Sequence, residues 1–234
     1  MSAPHTGGGA ANGPRGWRAL FAEPAGLLCD AWRLLRSRPA LWLVLLVPLV
    51  LAVALLPHDR TMHLWVLARR EEEWLVWAKR LRAWGAGWDT AVFAGLALLL
   101  GSVCGRRRWR GAALAMVLAV ACAGLAANAV RVVAGRSRPL LEDSRFHGPS
   151  LRYDRQGFPS GHTSSAVAGA AALGIAAPVF ALPAAFSAAG VTWASGYTRN
   201  HYPGDLAAGA GIGAFFGALF GLAARQRYGI TRGA

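Results

Sequence analysis

Apolar residues in this chain form long uncharged runs rather than an amphipathic pattern. Runs without Asp, Glu, Lys or Arg cover residues 39–57, 90–105, 111–130, 156–198 and 206–224. A bilayer core of about 30 Å needs about 20 helical residues, because each residue adds about 1.5 Å. The longest run exceeds one span and is broken by Pro178 and Pro183. Dividing it there predicts six membrane spans, near residues 40–57, 86–105, 111–133, 160–178, 180–197 and 205–224.

The segments outside these runs have a different character. Residues 17–38 and 62–84 mix apolar residues with Arg, Lys and Glu. This mixture predicts amphipathic helices that lie in the membrane interface. Residues 1–16 are predicted to be a disordered tail, and residues 39–227 to form the membrane domain. The predicted fold class is therefore an all-α, integral membrane bundle of six helices with interfacial amphipathic helices.

Composition and charge narrow the class of protein. The chain has 234 residues, of which 55% are hydrophobic and 15% charged, yet its net charge is +14. Such an apolar fraction excludes a disordered chain, and its pattern argues against a nucleic-acid binder. The three cysteines form no C-x-x-C pair, which excludes a disulfide scaffold and a zinc ribbon.

The basic residues between the runs predict the orientation. Both terminal segments are rich in Arg, and the short loop 106–110 contains four arginines. Because cytoplasmic loops attract Lys and Arg, both termini are predicted to be cytoplasmic. The bias towards Ala, Gly and Arg suggests a bacterium with a GC-rich genome, and thus the inner membrane as the location.

The remaining polar residues form three clusters at the ends of predicted spans. Arg131, Arg136 and Arg138 follow the third span. The run 159–162, Pro-Ser-Gly-His, opens the fourth, and the segment 195–205 connects the fifth to the sixth. In an alternating six-helix path, all three clusters emerge on one side of the membrane. With cytoplasmic termini, this side faces the periplasm or the outside.

These residue types suit phosphoryl transfer. Guanidinium groups match phosphate oxygens, and the helix start at Ser160 and Gly161 offers backbone N–H groups to an anion. His201 is a candidate nucleophile if Asp205, four residues later, holds its second nitrogen. His162 is suited to protonate the leaving oxygen. Because no set of metal ligands appears at ligand spacing, we expect neither a metal nor a cofactor.

The same residues carry a family resemblance. Arg131-x6-Arg138-Pro139, Pro159-Ser-Gly-His162 and His201-x3-Asp205 resemble the signature of the type-2 phosphatidic acid phosphatase superfamily. That signature reads Lys-x6-Arg-Pro, Pro-Ser-Gly-His and Ser-Arg-x5-His-x3-Asp, and the resemblance covers about residues 90 to 225. It implies a metal-independent phosphatase with a phosphohistidine intermediate. It also implies roles for single residues: His201 as nucleophile, Asp205 orienting it, His162 as general acid, and Arg131, Arg138, Ser160 and Gly161 as phosphate ligands.

Two positions depart from the family pattern. Arg131 stands where the family usually has Lys, and the Ser-Arg pair of the third motif falls on Ala194-Ser195. The motif arginine is therefore missing. We hypothesise that Arg199, two residues before His201, replaces it. Arg136 either assists phosphate binding or faces the lipid headgroups.

The depth of the histidines favours a lipid substrate, since the ends of spans lie where headgroups lie. Phosphatidic acid, phosphatidylglycerol phosphate, undecaprenyl pyrophosphate and a lipid A phosphate are the candidates. The expected partner is thus a membrane lipid phosphate and not a nucleic acid. Two alternatives remain: a lipid-to-lipid phosphotransferase with the same site, and a non-catalytic lipid-binding or transport protein with a degenerate site.

Overall fold

The computed structural model describes residues 17–229, and the predicted tail 1–16 lies outside the described residues. The predicted all-α class is confirmed: within the described range, extended pairing is confined to one bridge between Arg136 and Phe146. The helices are α1 Trp17–Ser37, α2 Leu41–Leu55, α3 Asp59–Ala68, α4 Glu72–Trp84, α5 Trp88–Val103, α6 Arg107–Ala134, α7 Gly161–Ala176, α8 Ala181–Tyr197 and α9 Pro203–Arg227.

Several helical stretches are long and apolar enough to cross a bilayer. In the described part of the chain there are four: Leu41–Ala68, Arg107–Ala134, Pro178–Tyr197 and Pro203–Arg227. A fifth exists if α4 and α5, which meet at a 54° bend, form one span. These helices indicate a multi-pass membrane protein.

The predicted number of six spans is not confirmed. Helix α7 has 16 residues and is therefore about 24 Å long, which is shorter than a bilayer core. The segment 62–84, predicted as one interfacial helix, is divided between α3 and α4. Helix α3 continues α2 within one apolar stretch.

Helix α9 lies against α7 at very short range. A Cβ atom at Gly217 would lie 2.7 Å from the carbonyl oxygen of Ala168, and one at Gly221 would lie 3.0 Å from that of Ala172. Glycine at every fourth position therefore lets the two backbones touch. The contact also joins the N-terminal ends of both helices, since the Ser160 amide donates to the Asp205 carbonyl at 3.0 Å. The second and third motifs are thereby brought together.

The connection between α6 and α7 folds over this end of the bundle. It begins at Gly135, whose φ of +55° is left-handed and whose Cβ would collide with the Gly148 carbonyl. Glycine is thus required there. Backbone bonds from Arg138 to Asp154 (2.9 Å) and from Gly157 to Arg136 (2.8 Å) hold the loop. The loop carries the first motif towards the other two.

Candidate active site

His201 lies in the turn between α8 and α9 and is only 2% exposed. Its Nδ1 is 2.7 Å from the carbonyl oxygen of Gly157. Because a carbonyl oxygen can only accept, Nδ1 carries the proton and Nε2 carries the lone pair. Burial, together with the charge of Arg138, lowers the pKa of His201 well below its usual value. The ring is therefore a neutral imidazole whose Nε2 carries a free lone pair.

Asp205 lies near this histidine but does not hold it directly. The distance from Asp205 Oδ2 to His201 Nδ1 is 3.9 Å, which exceeds hydrogen-bond range. The Gly157 carbonyl, and not Asp205 as predicted, accepts the hydrogen bond from His201 Nδ1. The carboxylate instead closes the first turn of α9, where its Oδ2 accepts from the Tyr202 amide at 2.8 Å. It can therefore orient His201 through this turn and through its charge.

Arg136 is a partner of Asp205 and fits neither role that the sequence analysis left open. Its Nη1 donates to Asp205 Oδ1 at 2.6 Å, and its Nη2 donates to Asp59 Oδ2 at 2.8 Å. Its Nε donates to the Ser144 carbonyl at 3.1 Å. Burial opposes the charge, but the carboxylates of Asp205 and Asp59 outweigh it and raise the pKa of Arg136. At 1% exposure, it faces neither headgroups nor a phosphate.

Asp59, in the first turn of α3, is a site residue that the sequence analysis missed. It is fully buried, and its Oδ1 accepts from the Gly204 amide at 2.7 Å. Its two oxygens thus join Arg136 to the start of α9. The signal available in the sequence was a carboxylate directly after an apolar run, which is costly unless it is paired.

Arg131, Gly161 and His162 line a common cavity of about 360 Å³ between the ends of α6 and α7. The Arg131 guanidinium lies against Gly161 so closely that any Cβ there would collide with it. Its Nε is buried and has no hydrogen-bond partner among the described residues. Ser160 is the buried N-cap of α7, and its Oγ accepts from the Thr163 amide at 3.4 Å. An unpaired guanidinium at a helix N-terminus is a site for an anion.

Arg138 approaches from the connecting loop and is 3% exposed. Its Nε donates to the Tyr153 carbonyl at 2.9 Å, and its guanidinium lies 4.0 Å over the Tyr153 ring. Its Nη1 is 3.3 Å from Asn200 Oδ1. Burial lowers the pKa of Arg138, and the like charge of Arg131 adds to this effect. The structure thus brings Arg131, Arg138 and both histidines together without a carboxylate bound to either arginine.

Arg199 does not join this group. It ends the turn after α8 in the left-handed conformation, with φ of +59°. Its Nη2 lies 3.8 Å from Glu142 Oε1, and it lines a separate cavity of about 90 Å³ with His63 and Tyr202. The turn directs residue 199 away from the cavity at His162, so the geometry does not support the hypothesis that Arg199 replaces the motif arginine.

The described residues contain no group of three or more His, Cys, Asp or Glu side chains that is arranged to hold a metal. At the motif-arginine position, Ser195 is buried and its hydroxyl donates to the Val191 carbonyl at 2.8 Å. With Arg199 elsewhere, no residue of the third motif supplies a guanidinium to the cavity.

Comparison with known proteins agrees with these motifs. The model of the PAP2 superfamily matches residues 112–228, which is half of the chain. The matched region contains Arg131, Arg138, His162, His201 and Asp205, but neither Asp59 nor α4. No curated protein and no solved structure matches the chain.

Proposed function

The chain belongs to the PAP2 superfamily, as the resemblance of its motifs predicted, and from this premise we propose that it is a phosphatase of membrane lipid phosphates. Members of this superfamily are typically phosphatases that act on phosphomonoesters. The observation that carries the proposal is the state of His201. Its Nδ1–H is engaged by the Gly157 carbonyl at 2.7 Å, which leaves Nε2 as a nucleophile beside unpaired guanidinium groups.

In the proposed reaction, His201 Nε2 attacks the phosphorus of a phosphate bound by Arg131 and Arg138. The N–P bond forms as the P–O bond to the lipid breaks. The negative charge of the bound phosphate offsets the charges of the nearby arginines, so that His162 can be protonated and give its proton to the leaving oxygen. A water molecule then attacks phosphorus, gives its proton to His162 and releases inorganic phosphate from His201. The arginines neutralise charge on the equatorial oxygens. The Gly157 carbonyl and the Asp205 carboxylate stabilise the positive imidazole ring of the intermediate.

The position of the site along α6 supports a lipid substrate. Helix α6 has 28 residues and runs from Arg107 to Ala134, so its ends are about 42 Å apart. Arg131 lies in the last turn, and the Arg-rich segment 106–110 lies at the opposite end. A lipid could thus present its phosphate to His201 while its chains stay in the bilayer.

The charge of the Arg-rich segment 106–110 supports a cytoplasmic location for that end of α6. We therefore propose a bacterial inner membrane protein with cytoplasmic termini and a site that faces the periplasm. Phosphatidic acid, phosphatidylglycerol phosphate, undecaprenyl pyrophosphate and a lipid A phosphate remain the substrate candidates.

The test is phosphate release from these four lipids in detergent, with EDTA present. We expect release by the wild-type protein, and its loss in His201→Ala and His162→Ala. Trapping with ³²P-labelled substrate should give an acid-labile, base-stable phosphoprotein. Absence of release from every lipid would refute the proposal, and activity in His201→Ala would refute the nucleophile.

A further inference from the structure

Arg82, on the last turn of α4, has a role that neither the motifs nor the family match assign. Its Nε is buried and has no hydrogen-bond partner among the described residues. A buried guanidinium nitrogen without an acceptor costs free energy, which a bound anion would offset. Arg199 Nε also lacks a partner, but its guanidinium lies 3.8 Å from Glu142.

The packing of α4 on α8 determines where Arg82 points. Ala78 contacts Ala194 and Tyr197, and the Trp84 indole donates to Ser187 Oγ at 3.0 Å. Residues 78, 82 and 85 follow at i, i+4 and i+7 and therefore share one face of α4. The next residue on that face, Gly85, is so close to α8 that a Cβ would collide with the Val191 side chain. Arg82 thus lies on the face that is turned towards the bundle.

The same stretch of chain reaches the candidate active site. Residues 85–87, which follow α4, line the cavity of about 360 Å³ together with Arg131, Gly161 and His162. Arg82 also interacts electrostatically with two residues of this site, His162 and Arg138. Three guanidinium groups, from α4, α6 and the connecting loop, therefore converge around His162.

This convergence lacks a counter-ion in the described part of the chain. The carboxylate beside the site, Asp205, already binds Arg136 at 2.6 Å. Like charges that converge in a partly buried site repel one another, and an anion with several oxygens relieves this repulsion. A phosphate group has the charge and the number of oxygens to accept from all three arginines.

We propose that Arg82 is a third phosphate-binding arginine, which donates to the phosphate group held by Arg131 and Arg138. The proposal rests on the phosphatase function proposed above. The proposal also explains how phosphate could be bound although the third motif lacks its arginine. The Arg82 guanidinium would replace it, from α4, which packs on α8. Arg82 lies outside the matched region 112–228, so the motif alone could not reveal it.

The experiment compares Arg82→Gln with Arg80→Gln in the full-length, detergent-purified protein. Arg80 is a matched control, because it lies on the same helix, is exposed and stacks on Trp77 at 5.0 Å. Kinetics on the lipid phosphate that is hydrolysed best would give KM and kcat, and inorganic phosphate would serve as a product inhibitor. Removal of a charge-assisted hydrogen bond should raise KM and the inhibition constant about 10- to 100-fold in Arg82→Gln. Both constants should stay within about twofold in Arg80→Gln, as for a surface charge.

Each outcome separates the two proposals. Values for Arg82→Gln within about twofold of wild type would overturn the role of Arg82 and leave the phosphatase function standing. A wild-type protein that neither releases nor binds phosphate would overturn both. If Arg82→Gln does not fold, Arg82→Met decides the matter, since Met keeps an apolar stem but removes the charge and the donors. A folded Arg82→Met protein with wild-type phosphate inhibition would then contradict the proposal.

Discussion

Arg136 and Arg138 are two residues apart and almost fully buried, yet their surroundings are opposite. Arg136 binds the carboxylates of Asp59 and Asp205 at 2.8 and 2.6 Å. Arg138 is held by a tyrosine carbonyl and ring and faces Arg131, which has no carboxylate either. Burial therefore does not by itself indicate a function. The arginine that binds carboxylates belongs to the scaffold, and the arginines without a carboxylate are those that we propose to bind phosphate.

Asp59, Arg136 and Asp205 form a paired cluster, and Arg131 and Arg138 form an unpaired cluster without a bound carboxylate. The paired cluster holds the helix ends on which the unpaired cluster depends. Asp59 comes from α3, Arg136 from the connecting loop, and Asp205 from α9. Asp59 also accepts from the Gly204 amide at 2.7 Å. Since the cluster anchors the start of α9, it also holds the preceding turn that presents His201.

The largest effect is expected for His201. His201→Gln should reduce phosphate release by about 10³-fold or more, because covalent catalysis loses its nucleophile. The control is His58→Gln, since His58 is exposed and lies outside both clusters. The measurement is a single-turnover assay. Equal rates for the two variants would contradict the assignment.

The paired cluster should respond in stability. Asp59→Ala leaves Arg136 partly uncompensated, and breaking a buried ion pair costs about 3–5 kcal/mol. Asp154→Ala removes an exposed pair with Arg152, which solvent screens, so the free energy of unfolding should stay close to that of the wild type. Unfolding in detergent, followed by circular dichroism, would compare the two. Similar stabilities would show that Asp59 does not hold the scaffold.

The unpaired cluster should show the reverse pattern. Arg131→Gln should raise KM about 10- to 100-fold, through the loss of a charge-assisted bond to phosphate. Its stability should not fall, because no carboxylate loses a partner. Arg136→Gln is the matched comparison and should be destabilised. The same kinetic and unfolding assays apply, and a destabilised Arg131→Gln protein would remove the distinction between the clusters.

The pH profile should reflect the surroundings of His201. Burial lowers the pKa of His201, so the neutral, nucleophilic ring persists as the pH falls below the ordinary histidine range. The acid limb of kcat/KM should therefore lie below about pH 6.5. Removal of the Arg138 charge should shift that limb to higher pH. A limb at or above the ordinary value in wild type would argue against a buried neutral nucleophile.

The smallest effect is expected for Arg199. Because it lies 3.8 Å from Glu142 and lines a separate cavity, Arg199→Gln should leave KM within about twofold of wild type. A rise in KM comparable to that of Arg131→Gln would restore the sequence-based hypothesis. It would also show that the turn rearranges when substrate binds.

Sequence patterns alone were sufficient to identify the class of protein and the residues of the motifs. A bilayer core offers no water to hydrogen-bond the backbone, so uncharged runs of spanning length form helices, which satisfy these groups internally. The motif residues lie at the ends of helices. Their positions in the sequence therefore predict that they lie at the same end of the bundle. The predicted number of six spans is not confirmed, since a short helix such as α7 packs within the bundle.

Only the tertiary structure decided the partners of these residues. Asp59, Arg82 and the Gly157 carbonyl reach the site from segments that are distant along the chain, and a carbonyl oxygen has no signature in a sequence. The roles of Arg136 and Arg199 were open for the same reason. Whether a buried arginine is paired or left for a ligand depends on which helices pack beside it, and that contact is made across the fold.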